Sequence, residues 1–264
     1  MLLKKIVTVV VMFLGLAMTS YAEEWMMYQA QEDVVGIDVE ILHANVEVVW
    51  SKQERVTVTL LGDSSRNFPL ITEYRKTSSV LVVGESVALG KRISDFWNNK
   101  DMVSDKKLLP ITIQIQIPKK MQIPLRIKVL MGDIRIIGGG VTTKQSITLE
   151  TLNGNIHVED LQAVYIMAKS SKGDLQFKNI YAQFMQIASI YGNILVSWQK
   201  KRGAIFLRAS QLAGKAMISQ QSVSLPLQLE SVGVIGAVKS SMFFDSALPE
   251  LEIQSGYGLI QIDI

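Results

Sequence analysis

The chain of 264 residues has no cysteine, two histidines and six prolines. Without cysteine there is no disulfide and no lipid-modified N-terminal cysteine, so packing and hydrogen bonds alone must hold the fold. The histidines, His43 and His157, lie far apart in sequence and lack a cysteine or close histidine partner, which leaves no ligand set for a dedicated zinc site. No Gly-x-Ser-x-Gly elbow, phosphate-binding loop or dinucleotide fingerprint occurs, so no catalytic residue and no cofactor is implied. An excess of one charge is also missing. Once Lys4 and Lys5 are set aside, 25 basic side chains oppose 24 acidic ones, and nothing matches the concentrated basic field that nucleic acid requires.

Residues 6–18 form an apolar run too short for a good transmembrane helix. Lys4 and Lys5 precede it and Ser20-Tyr21-Ala22 follows, so residues 1–22 read as an export signal cleaved before Glu23. An uncleaved anchor is the competing reading. Export without cysteine suits a bacterial periplasm or cell surface, and no integral membrane span is expected after cleavage.

What the chain does have is a repeat. A Gly, a small polar residue and then alternating apolar residues recur at Gly132-Asp133-Ile134-Arg135-Ile136, Gly154-Asn155-Ile156-His157-Val158, Gly173-Asp174-Leu175-Gln176-Phe177 and Gly192-Asn193-Ile194-Leu195-Val196. Weaker copies begin at Gly214, Gly236 and Gly258, giving steps of 22, 19, 19, 22, 22 and 22 residues. Periods of this size signal a repeat architecture. A hydroxyl residue stands three positions before the Gly at Thr151, Ser170, Ser189 and Ser255, within a second alternating phrase. Each unit therefore reads as strand, turn, strand, turn.

If each unit is one coil, Ile134, Ile156, Leu175, Ile194, Ala216, Val238 and Ile260 form one apolar ladder in chain order. Arg135, His157 and Gln176 then point outward. Gly supplies a positive φ at the corner, and Asp or Asn bonds the local backbone. The expected fold is all-β: a β-solenoid of about seven coils with an N-terminal β cap.

These phrases resemble those of bacterial extracytoplasmic putative-adhesin domains, a family of otherwise unknown function with a Ser/Thr-x-x-Gly-Asp/Asn-Ile-x-Val unit. The resemblance covers residues 34–264 and implies a β-solenoid; its motif describes backbone geometry and transfers no catalytic residue.

Three regions follow. Residues 1–22 are the signal, 23–130 an N-terminal cap with an inserted loop 84–110, and 131–264 the repeat solenoid continuous with it. Strands over residues 34–39, 43–50, 55–61 and 80–83 are expected to run antiparallel as the cap. An open final coil at residues 259–264 is expected to leave an edge for self-association.

The candidate partner-contacting residues are Phe96 and Trp97 in the inserted loop, with a short helix expected over residues 93–97, and Trp198 with Lys200, Lys201 and Arg202. The competing reading folds the aromatic pair onto the solenoid as a lid and makes the basic run a solvated turn. The expected function is an exported, non-enzymatic, adhesin-like scaffold that meets a cell-surface glycan or protein.

Two alternatives are open. A polysaccharide-active enzyme would use Asp133 and Asp174, two coils and roughly 9 to 10 Å apart, a spacing within the inverting carboxylate window. The same corners could hold calcium only with six or more oxygens. An outer-membrane barrel would need strands of about 9 to 11 residues and an outward apolar band, whereas these units are shorter.

Overall fold

The computed structural model describes residues 24–29, 33–62, 70–75, 77–85, 111–198, 206–219, 228–231 and 250–263. Among these residues there is no helix, and all strands join one curled mixed sheet. Period-two alternation has become strand geometry throughout.

Two parallel runs make up the centre of the sheet. One contains β8 (Leu125–Met131), β10 (Ser146–Asn153) and the second halves of β11 (Ile156–Lys172) and β12 (Leu175–Tyr191). The other contains β9 (Ile134–Thr142), the first halves of β11 and β12, and β13 (Ile194–Trp198). The chain crosses from the first run to the second at each Gly phrase. Ile134, Ile156, Leu175 and Ile194 are consecutive register partners and are fully buried, as the repeat predicts. Leu125, Ile147, Ile166 and Met185 form an equivalent rung on the facing run, and both runs share one core. Each such side chain contributes about 1.5–3 kcal/mol of burial, so the ladder is the main source of cohesion.

The crossing point explains the Gly. A Cβ on Gly154 would lie 1.9 Å from the Gly132 carbonyl oxygen, and one on Gly173 equally close to that of Gly154. Close approach between coils is therefore the stronger demand; positive φ, at 149° for Gly173, adds to it. The upstream hydroxyl serves the same carbonyls. Thr151 Oγ1 donates to Gly132 O at 3.2 Å, Ser170 Oγ to Gly154 O at 3.0 Å and Ser189 Oγ to Gly173 O at 3.4 Å, all three hydroxyl residues being buried.

The order of the rungs departs from chain order at both ends. β2 (Gly36–His43) and β3 (Asn45–Ser51) were expected in an antiparallel cap, but they pair in parallel with β8 and β9. Val46 is in register with Ile134, so Ala44-Asn45-Val46-Glu47-Val48 is a further copy of the phrase with Ala in place of Gly. The next rung out is β6 (Val80–Glu85) with β7 (Thr112–Pro118). Among the described residues, antiparallel pairing is confined to β1 (Glu24–Gln29) with β4 (Thr57–Leu61), β4 with β7, and β5 (Leu70–Arg75) with β6.

At the other end, β16 (Glu250–Asp263) lies between β12 and β13 on one side and β14 (Phe206–Ser219) on the other, with β15 (Gln228–Ser231) beyond β14. Ile194 is thus followed by Ile260 and then by Ala216. The expected sequence Ala216, Val238, Ile260 is corrected, Val238 lying outside the described residues. The expected open edge at residues 259–264 is corrected too, because β16 is paired on both sides. An interior rung satisfies two rows of backbone groups where an edge satisfies one.

The parallel pairing and the apolar interior also differ from the antiparallel meander and polar lumen of an outer-membrane barrel. No helix of the described residues is long and apolar enough to cross a membrane.

Gly154→Ala is expected to cost about 3 kcal/mol, since backbone must shift to admit the methyl group. Gly140→Ala, where φ is 79° and nothing lies within 4 Å, is expected to cost only about 1 kcal/mol. Urea denaturation of the two variants checks this ranking.

Candidate functional site

Alternation that buries one row exposes the next, and these outward rows are the surface available to a partner. On the second run, Gln114, Glu47, Arg135, His157 and Gln176 occupy successive register positions. Gln114 Nε2 donates to Glu47 Oε2 at 3.0 Å, and Arg135 donates to Glu47 Oε1 at 3.3 Å. Farther along, His157 Nδ1 lies 3.1 Å from Gln176 Oε1, and its Nε2 lies 3.4 Å from Glu159 Oε2. Lys178 Nζ donates to Glu159 Oε1 at 2.9 Å. The hydrogen bond from Lys178, followed by that with His157, lowers the Glu159 pKa; the bond to Glu159 raises that of Lys178.

The first run carries its own charged rows. Arg126 makes a forked contact to Asp38 at 3.0 and 3.2 Å, and Lys128 pairs with Glu150 at 2.8 Å. Charges of both signs alternate, so neither face presents a field of one sign.

Apolar groups break these rows at the edges. Val164, Ile190 and Tyr191 are exposed, and the rings of Tyr165 and Phe184 stack in parallel with centroids 5.1 Å apart. Tyr165 and Phe184 are register partners, so the ladder itself brings the rings together.

The corner carboxylates are engaged in structure. Asp133 Oδ1 accepts from Asn155 N at 2.7 Å, and Asp174 Oδ1 accepts from Asn193 N at 2.7 Å. Asn45 and Asn155 accept from Asp133 N and Asp174 N in the same way. The bonds run to the next coil and not, as the turn chemistry suggested, to the local backbone. His157 faces outward as its alternation requires and is half-buried among Gln176 and Glu159. Among the described residues, no group of three or more His, Cys, Asp or Glu side chains is placed to hold a metal ion.

Of the sequence-nominated contact residues, Trp198 is the last residue of β13, with its backbone in register with Ile180. Phe96, Trp97, Lys200, Lys201, Arg202 and the helix expected over residues 93–97 lie outside the described residues. The Glu159, Lys178 and His157 group was not nominated. Its signal was present in the spacing: Glu159 follows Gly154 by five residues and Lys178 follows Gly173 by five, which puts unlike charges on neighbouring rungs.

Residues 35–262 match the model of the protein family described as Toastrack DUF4097. No curated protein matches the chain. Solved structures similar to it include a putative cell adhesion protein from Clostridium sporogenes ATCC 15579, 12% identical, with a TM-score of 0.47 over 92% of this chain and 99% of that one. Another is a putative adhesin from Bacteroides fragilis NCTC 9343, 12% identical, with a TM-score of 0.44 over 91% and 97%. A third is a putative lipid binding protein from Parabacteroides distasonis ATCC 8503, 12% identical, with a TM-score of 0.35 over 92% and 97%.

The shifted pair gives a pH dependence of definite sign. Glu159, with its pKa lowered by folding, stabilises the fold above the ordinary carboxylate pKa, and this is lost as pH falls through its folded value. Lys178, with its pKa raised, contributes below the ordinary lysine pKa and loses that contribution as pH rises through its folded value. In Lys178→Met, the Glu159 carboxyl titration followed by NMR is expected to move up towards the ordinary carboxylate range. An unchanged midpoint would mean that Lys178 does not hold that carboxylate in solution.

Proposed function

Since the chain belongs to the Toastrack DUF4097 family, we propose that it is an exported, non-enzymatic scaffold that meets a cell-surface glycan or protein through side chains displayed on a rigid β-solenoid. The single observation behind this reading is how the repeated polar residues are used. Asp133, Asn155 and Asp174 each accept a backbone amide from the next coil, and Thr151, Ser170 and Ser189 each donate to a Gly carbonyl. The conspicuous motif is thus committed to holding coil on coil. What is left for a partner is the outward rows and the segments that connect the strands.

Residues 1–22 act as the export signal in this reading and deliver the chain to the periplasm or cell surface. Residues 23–130 supply the cap and first strands, and 131–264 continue the solenoid as one domain. The inserted loop contributes Phe96 and Trp97 to partner contact, the end of β13 contributes Trp198, and the segment after it contributes Lys200, Lys201 and Arg202. Long connections on a rigid stack are suitable carriers of recognition, because they vary without disturbing the rungs.

A glycan array and a pull-down from outer-surface extracts with residues 23–264 test this proposal. Binding is expected to fall at least about tenfold, roughly 1.4 kcal/mol, when Phe96 and Trp97, or Lys200, Lys201 and Arg202, are changed to Ala. Binding is expected to persist in Asp133→Asn with Asp174→Asn, since each amide oxygen can still accept the neighbouring N–H. Polysaccharide cleavage that disappears in that double variant would overturn the proposal.

A further inference from the structure

β16 separates two segments that share its register on either side. Ile194 pairs with Ile260 and Ile260 with Ala216; Val196 pairs with Ile262 and Ile262 with Ile218. The two flanking strands are therefore in phase with each other across a gap one strand wide. That gap is a strand-shaped site whose walls are parallel backbone ladders.

Its occupant is specified by pattern. Ser255 is in register with Ser189, Tyr257 with Tyr191 and Ile260 with Ile194, so β16 repeats the hydroxyl, corner and apolar positions of the wall it joins. β16 reaches this position out of chain order, from beyond β14 and β15, through residues 232–249. Eighteen residues (232 to 249 inclusive) span up to about 60 Å when extended, ample reach into a neighbouring molecule.

We propose that the slot between β12–β13 and β14 is an exchange site, and that it also accepts β16 from a second copy of this chain. The exchanged rung takes the same register and the same backbone pairing as the chain's own, so only the connection distinguishes the two states. Exchange of an identical element is a low-cost route to association, and here it needs no exposed edge. The partner is this chain itself, selected by register.

The absence of native cysteine makes the test clean. Leu195 and Gln261 are register partners on parallel strands, and strands about 4.8 Å apart lie within the reach of a disulfide. The double variant Leu195→Cys with Gln261→Cys, oxidised at low concentration, is expected to close within one chain. The two single variants, one isotopically labelled, are then refolded together from urea at high concentration and oxidised. A mixed dimer linked 195 to 261 is expected by peptide mass mapping, at a yield at least about fivefold above that from pairing Gln261→Cys with Arg135→Cys. Closure within the chain together with a mixed-dimer yield equal to that control would overturn the proposal. So would failure of the double variant to close, because β16 would then not occupy the slot.

Discussion

The distance between successive corners is the constraint on which the rest of the structure depends. At the crossings of Gly132, Gly154, Gly173 and Gly192 the chain comes so near the neighbouring coil that the missing side chain is the space occupied by a carbonyl oxygen. That approach allows the backbone ladder to run unbroken around the corner, with Gly154 N donating to Lys172 O and Ile156 N to Asp174 O. The Thr and Ser hydroxyls donate to the carbonyls that this approach crowds. A crowded carbonyl is thereby supplied with a donor.

Charge at the corner follows the same economy. Asn45, Asp133, Asn155, Asp174 and Asn193 alternate between amide and carboxylate along the stack. Each accepting oxygen does the same work, yet no two carboxylates sit on adjacent coils. Neighbouring charges at rung spacing would repel by about 1 kcal/mol even in water and by more at the half-shielded edge. Alternation keeps the acceptors and halves the charge.

Much of this was legible in the sequence because the repeat writes its own register. The Gly steps placed Ile134, Ile156, Leu175 and Ile194 on one rung, and the three-residue offset placed Thr151, Ser170 and Ser189 at the corner. The order of the outer rungs was not legible, and for a physical reason. When every unit carries the same alternating phrase, Ile194 matches Ile260 as well as it matches Ala216, so local pattern cannot rank the neighbours. The Ala44 copy escaped notice because Ala replaced the residue used to find the others. The contact candidates Phe96, Trp97 and Lys200 to Arg202 came from composition and stand apart from the repeat, while Glu159 and Lys178 needed the register to be seen together.

The two ends of the stack solve a shared problem in a shared way. β2 and β3 come early in the chain yet lie inside β6 and β7, and β16 comes after β14 yet lies inside it. Adding rungs in strict chain order would leave each newly formed coil as the exposed edge. Placing a distant segment inside the outer rungs joins residues far apart in sequence, such as Ile37 with Leu125 and Phe184 with Glu250. Such pairings raise contact order and slow assembly, because long loops must close before the contacts reward them. Once made, they hold the distant segment on both sides, so that withdrawing β16 requires breaking two ladders where a strand at the edge would lose one.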